Sequence, residues 1–202
     1  MTAPLTPHDP PLPEDAHGHP DGPAARTEQA PETRAELRQA AVVAVAVTVA
    51  GVLLGLLWVW LAPRVPLISD GKAVYLKNTE GEQAIGADGT FALLGLGFGV
   101  VSAAVVFWFR RHGGVPLVCG LVLGSLLAGL VGWRLGVWLG PTSDVVAAAK
   151  AAGKGVVFDA PLRLAAKGAL LAWPLAAMAV HLGLTALFGP RDPEPDPDWS
   201  AT

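Results

Sequence analysis

The sequence predicts an all-α membrane protein of four transmembrane helices, with a small β-hairpin and a short helix in the outer loops. Three observations carry that prediction. Four apolar runs, about residues 40–62, 91–109, 116–139 and 168–188, each match the length that crosses a hydrocarbon core of about 30 Å. Hydrophobic residues make up 52% of the chain and charged ones 15%, with mean hydropathy +0.46, an excess over what a soluble domain of this size carries. In the third run a small residue recurs at every fourth position: Gly120, Gly124, Ala128, Gly132, Gly136 and Gly140. Such a run is a poor helix in water, since each Gly costs about 1 kcal/mol relative to Ala. In a bilayer the backbone has no water to bond and must be helical anyway. The small residues then form a shallow groove that admits another helix closely.

Composition also excludes. A net charge of −3 gives no footing for nucleic acid. The single cysteine, Cys119, lies in an apolar run, so an intrachain disulfide and a cysteine-based metal site are both ruled out. Ala, Gly, Pro, Val and Arg abound while Lys, Asn and Ile are scarce, as in GC-rich bacterial coding.

Residues 1–33 are rich in Pro and acids and poor in apolar side chains, which predicts a disordered tail. His8, His17 and His19 fall in it at spacings unsuited to a structural metal site. No basic segment opens the chain, which argues against a standard signal peptide. The membrane domain is expected over residues 34–189. A charged lead-in, Thr33–Gln39, runs into the first span, where Trp58 and Trp60 suit the interfacial belt and Pro63 and Pro66 stop the helix. In the loop that follows, Ala73–Lys77 and Gln83–Ile85 read as two strands joined through Asn78–Gly81. Gly95, Gly97 and Gly99 give the second span a close-packing face, and the tight turn His112–Pro116 predicts that spans two and three are antiparallel neighbours. After span three, Thr142 or Ser143 is expected to cap a short helix ending at Gly153. Asp159-Ala-Pro161 reads as the start of the fourth helix, with a kink at Trp173-Pro174. Residues 190–202 form an acidic, Pro-rich tail.

Four spans place both termini on one side. Raw counts of Arg and Lys, six with the termini and seven opposite, leave the orientation open. The rule weights charges near the membrane in short loops, so Arg34, Arg38, Arg110 and Arg111 predict cytoplasmic termini in a multi-pass inner-membrane protein.

The run Ile68–Thr90 followed by the Gly-rich spans resembles a family of four-span bacterial inner-membrane proteins known as a domain of unknown function. The resemblance covers about residues 35–188. It implies an envelope location and no activity, and it brings no functional residues.

Candidate chemistry is sparse. Arg134 is the one formal charge inside a span, a candidate functional or interfacial charge. It stands near the end of its helix, where it can snorkel or pair with Asp70, Asp144 or Asp159. Ser125 and His181 are the one nucleophile–base combination within the spans. Intramembrane serine proteases use such a dyad, but they place Gly two positions before the serine and have six or more spans. Ser125 is therefore read as a packing residue and His181 as a donor to a carbonyl or the headgroups. The spans hold no Asp or Glu, which weakens a coupled transporter, and no nucleotide or HExxH motif occurs. The expected protein is non-enzymatic and takes no cofactor or metal. Its partners are the lipid bilayer and a membrane-protein partner or a second copy, and it acts as a subunit or sensor. The alternative is a transporter or permease component.

Overall fold

The computed structural model describes residues 23–110 and 114–189, with side chains from Arg34 onward. The tail histidines, most of the turn after Arg110 and the acidic tail at 190–202 lie outside the described residues. The chain order is α1 (Pro23–Leu61), β1 (Pro66–Ser69), β2 (Val74–Leu76), α2 (Gln83–Arg110), α3 (Val115–Leu139), α4 (Val145–Ala152), β3 (Val157–Asp159), a 3₁₀ turn (Lys167–Leu171) and α5 (Ala172–Phe188). Four stretches are long and apolar enough to cross a membrane: Arg34–Leu61, Gln83–Arg110, Val115–Leu139 and Lys167–Phe188. Their outward faces carry exposed Val42, Val49, Leu93, Val101, Leu123 and Leu182. So much contiguous apolar surface is sustained by lipid and not by water. The four-helix architecture with a small sheet is therefore the one expected. The first helix reaches back to Pro23, ten residues ahead of Thr33, and takes up part of the stretch read as disordered.

Small residues decide which helices touch. On α2, a Cβ added to Gly95 would lie 3.3 Å from the Ala172 Cβ, and one on Gly99 would lie 2.7 Å from the Trp173 carbonyl oxygen. These two glycines, one turn apart, seat α5 against α2. Gly97 has open space around its Cβ position and belongs to no contact face, which corrects the three-glycine reading. Spans two and three touch only lightly: α2 packs mainly on α5, and α3 packs on α5 and α1. A short connection fixes proximity, but glycine positions choose the partner.

Trp58 is the second correction. It is fully buried, whereas Trp60, Trp108 and Trp138 are exposed as an interfacial belt requires. Its Nε1–H donates to the Ala87 carbonyl at 2.8 Å, and its ring meets Phe91 edge-on with centroids 5.0 Å apart. A buried indole N–H needs such an acceptor, and the start of α2 supplies it. Leu54, Leu121 and Trp173 complete the core.

The loops after α1 and after α3 build a cap. Its sheet has the order β2-β1-β3, antiparallel throughout. The hairpin closes earlier than the sequence reading placed it, with Leu67 opposite Leu76 and Ser69 opposite Val74. The Asp70 carboxylate makes this turn by accepting from Lys72 N at 2.8 Å and Ala73 N at 2.7 Å. Gly71, at φ +91°, supplies the left-handed residue. Gln83–Ile85 is not a strand but the first turn of α2. Val157–Asp159 is a strand, pairing Phe158 with Leu67, so Asp159 does not cap the fourth helix, which starts at Lys167. The expected kink near Trp173-Pro174 is a change from 3₁₀ to α at Leu171–Ala172. The cap of α4 is Asp144, whose carboxylate accepts from Ala147 N at 2.9 Å, and the helix ends at Gly153 as anticipated.

Candidate functional site

The small-residue ladder on α3 faces α1. A Cβ on Gly124 would stand 2.8 Å from both the Cα and the carbonyl oxygen of Ala44. One on Gly120 would meet the Ala40 backbone at 2.9–3.0 Å, and one on Gly132 the Gly51 carbonyl oxygen at 3.0 Å. From α1, Gly51 abuts the backbone of Ala128, and Gly55 that of Gly132. Gly136 lies under the Trp58 ring, and Gly140 lies against Leu162 instead. The four-residue repeat drifts around the helix, so its last member meets the loops. Thr48 crosses the seam, its hydroxyl donating to Ala44 O at 2.7 Å and approaching Gly124 O at 3.4 Å. The ladder is thus occupied from within the chain.

Arg134 lies beside its neighbour Trp133, with the guanidinium carbon 4.9 Å from the ring centroid, and the Lys167 ammonium is 4.0 Å from the same ring. Two cations therefore share one indole at the cap end of α3. Two of the aspartates considered for Arg134, Asp70 and Asp144, hold backbone N–H groups instead, and Asp159 is the last residue of β3. Ser125 is fully buried and its hydroxyl donates to Leu121 O at 2.6 Å, one turn back on its own helix. His181 is buried on α5, edge-on to Phe107 of α2. The serine proton is spent on its own helix, and no contact joins the two side chains among the described residues.

The feature that sequence reading missed is a cleft in the cap. The hairpin turn, α4 and the segment after α4 enclose a cavity of about 510 Å³. Lys72, Lys150 and Lys154 line it, with Ser69 at the base and Val74 and Val146 as apolar walls. The stem of Lys154 covers Gly71, 3.8 Å from where a Cβ would be. Lys150 and Lys154 also sit where the carbonyl end of α4 favours cations, so part of their placement is helix electrostatics. Lys72 has no such reason to converge with them. Asp70, the adjacent acid, is held below the usual carboxylate range by the N–H groups of Ala73 and Lys72, so its charge is committed to the turn.

The cleft is held on a fixed support. The Asp88 carboxylate, in the first turns of α2, accepts from Ala165 N at 2.9 Å and Ala166 N at 2.7 Å. Gly155 N donates to Ser69 O at 2.8 Å and ties the second loop to the sheet. The sequence signal was available in the lysines of two separate loops, but only strand pairing brings those loops together. Among the described residues no three His, Cys, Asp or Glu side chains converge as a metal site would need. No family model, curated protein or solved structure matches the chain.

Proposed function

We propose that the chain is a non-enzymatic integral membrane protein of the bacterial envelope, acting as a sensor or accessory subunit whose loop cap recognises an anionic group. The observation that carries this reading is the convergence of Lys72, Lys150 and Lys154 on one cleft in a cap clamped to the bundle by Asp88. Three lysines lining a concave surface with apolar walls suit a phosphate or carboxylate borne on a partly apolar partner. The small-residue faces support the same reading from the other side: they are used to build the bundle, which leaves the cap as the recognition surface. Cytoplasmic termini, with the cap outside the cell, belong to the proposal and rest on the arginines next to the spans.

The test is thermal melting of the full-length protein in neutral detergent, with inorganic pyrophosphate added at constant ionic strength. A ligand that binds the folded state alone raises the melting temperature with its concentration. The expected result is a rise that grows with the logarithm of pyrophosphate concentration and that Lys72→Gln, Lys150→Gln and Lys154→Gln together abolish. A flat titration, or an equal rise in the triple variant, refutes the cleft as the recognition site.

A further inference from the structure

We propose that a lateral trough between α1 and α2 seats one acyl chain of an anionic membrane phospholipid, with Arg110 meeting its net-negative headgroup at the phosphate. The trough follows from how the helices pair. The small face of α1 is committed to α3 and that of α2 to α5. Where α1 and α2 face each other they present branched and aromatic side chains, Val43 and Val47 against Phe98 and Val106, and a cavity of about 360 Å³ is left between them. Its floor is Trp173 of α5, which is fully buried. The Trp173 Nε1–H donates to the Ser102 hydroxyl at 3.1 Å, and its ring lies 4.9 Å from that of Phe98. The floor is therefore fixed and its one polar group already has a partner, so the trough asks for an apolar occupant.

Length and charge select that occupant. From Phe98 to Arg110 the wall of α2 rises about 18 Å at about 1.5 Å per residue. One leaflet of a hydrocarbon core of about 30 Å is about 15 Å deep. The trough thus matches one leaflet and stops near the membrane centre, where an acyl chain ends and a spanning helix would continue. Its open end carries Arg110, the last residue of α2 and exposed. Arg38 stands one turn before Val42 on the facing helix and adds positive charge at the same end. Among the described residues Glu36 is the acid at that end, and it lies toward the start of α3, with its carboxylate 3.8 Å from where a Gly114 Cβ would be. An acyl chain in the trough would bring its phosphate to these guanidinium groups, which pair with phosphate by charge-assisted hydrogen bonds.

The experiment uses the full-length protein in neutral detergent, loaded with phosphatidylglycerol or phosphatidylcholine and read by native mass spectrometry. One lipid per chain should be retained, with phosphatidylglycerol preferred several-fold. Arg110→Gln should remove the preference. Ala46→Phe fills the trough from its exposed rim and should remove retention of both lipids, while Val49→Phe, exposed on the same helix but outside the trough, should change nothing. Retention that survives Ala46→Phe overturns the proposal. So does a dimer that Ala46→Phe dissociates, because the occupant is then a second chain. Equal retention of the two lipids, unmoved by Arg110→Gln, overturns the headgroup contact.

Discussion

Replacing Gly124 and Gly97 by alanine, one at a time, separates backbone contact from helix quality. Both glycines lie inside spans, on α3 and α2, and both substitutions add one methyl group. At Gly97 the new Cβ meets nothing within 4 Å. Alanine there gains the roughly 0.5–1 kcal/mol by which it is the better helix former. At Gly124 the same gain is present, but the methyl carbon would stand 2.8 Å from Ala44 Cα and O. Carbon contacts settle near 3.5–4.0 Å, so α1 and α3 must part by about 0.7 Å or more, and a gap of that size forfeits a quarter to a half of each neighbouring contact. Overpacking of this kind costs about 1–3 kcal/mol. The two variants should therefore differ by about that much, with Gly97→Ala the more stable. Unfolding in mixed micelles, by titrating sodium dodecyl sulfate into purified protein, reads the difference directly. Equal midpoints for the two variants would show that the α1–α3 seam is loose, and the account of the ladder as a backbone contact would fail.

Two further expectations concern the cap. Asp88→Ala leaves the N–H groups of Ala165 and Ala166 to water at a cost of about 1 kcal/mol. Hydrogen exchange at residues 165–167 should quicken while exchange in the spans stays slow, and unchanged exchange there would remove Asp88 as the clamp. The Asp70 turn has a defined pH dependence. The N–H groups of Ala73, then Lys72, hold the carboxyl below its ordinary value, so the stabilisation is present above an unfolded pKa of about 3.9 and is lost as pH falls through the folded value. The amide resonances of Lys72 and Ala73 should stay fixed at neutral pH and move only below about pH 4; a transition near neutrality would contradict this.

The spans were legible because the bilayer sets their length and excludes charge, and both constraints act residue by residue. The close-packing character of Gly120, Gly124 and Gly132 was legible for the same reason, since only glycine leaves a backbone bare. Their partner was not, although Ala40 and Ala44, and Gly51 and Gly55, each stand four apart on α1: such spacing marks a face that admits a helix but does not say which helix it meets. Trp58 was misplaced because distance from a helix end locates a residue along the membrane normal but not around the helix. Two residues on, Trp60 has the same depth signal and faces outward. In the cap, Ala73–Lys77 was recognised as strand-like, but Gln83–Ile85 was mispaired with it. The side-chain bonds of Asp70 close the turn locally, and the third strand arrives from a loop some eighty residues away.

The pairing of helices also explains where function is left to reside. The two close-packing faces of the described bundle are closed by helices of the same chain, that of α3 by α1 and Gly95 and Gly99 of α2 by α5, while Gly97 and Gly183 stand open as single positions. A partner helix approaching from the membrane meets Val42, Val49, Leu93, Leu123 or Leu182, side chains as apolar as lipid, and between such surfaces the bilayer supplies no hydrophobic drive to associate. Selective contact then needs a shape or a charge that lipid does not already satisfy. The lysine cleft supplies charge in the cap, and the α1–α2 trough supplies shape within the membrane, with Arg110 at its mouth. The two sites stand at opposite ends of the bundle and share no residue. Substitutions in one should leave the other intact, so the triple lysine variant should retain phospholipid as the unaltered protein does, and Ala46→Phe should keep the pyrophosphate-dependent rise in melting temperature. Loss of both responses in either variant would mean that the bundle itself had been disturbed, and the two assays would then be reporting stability rather than recognition.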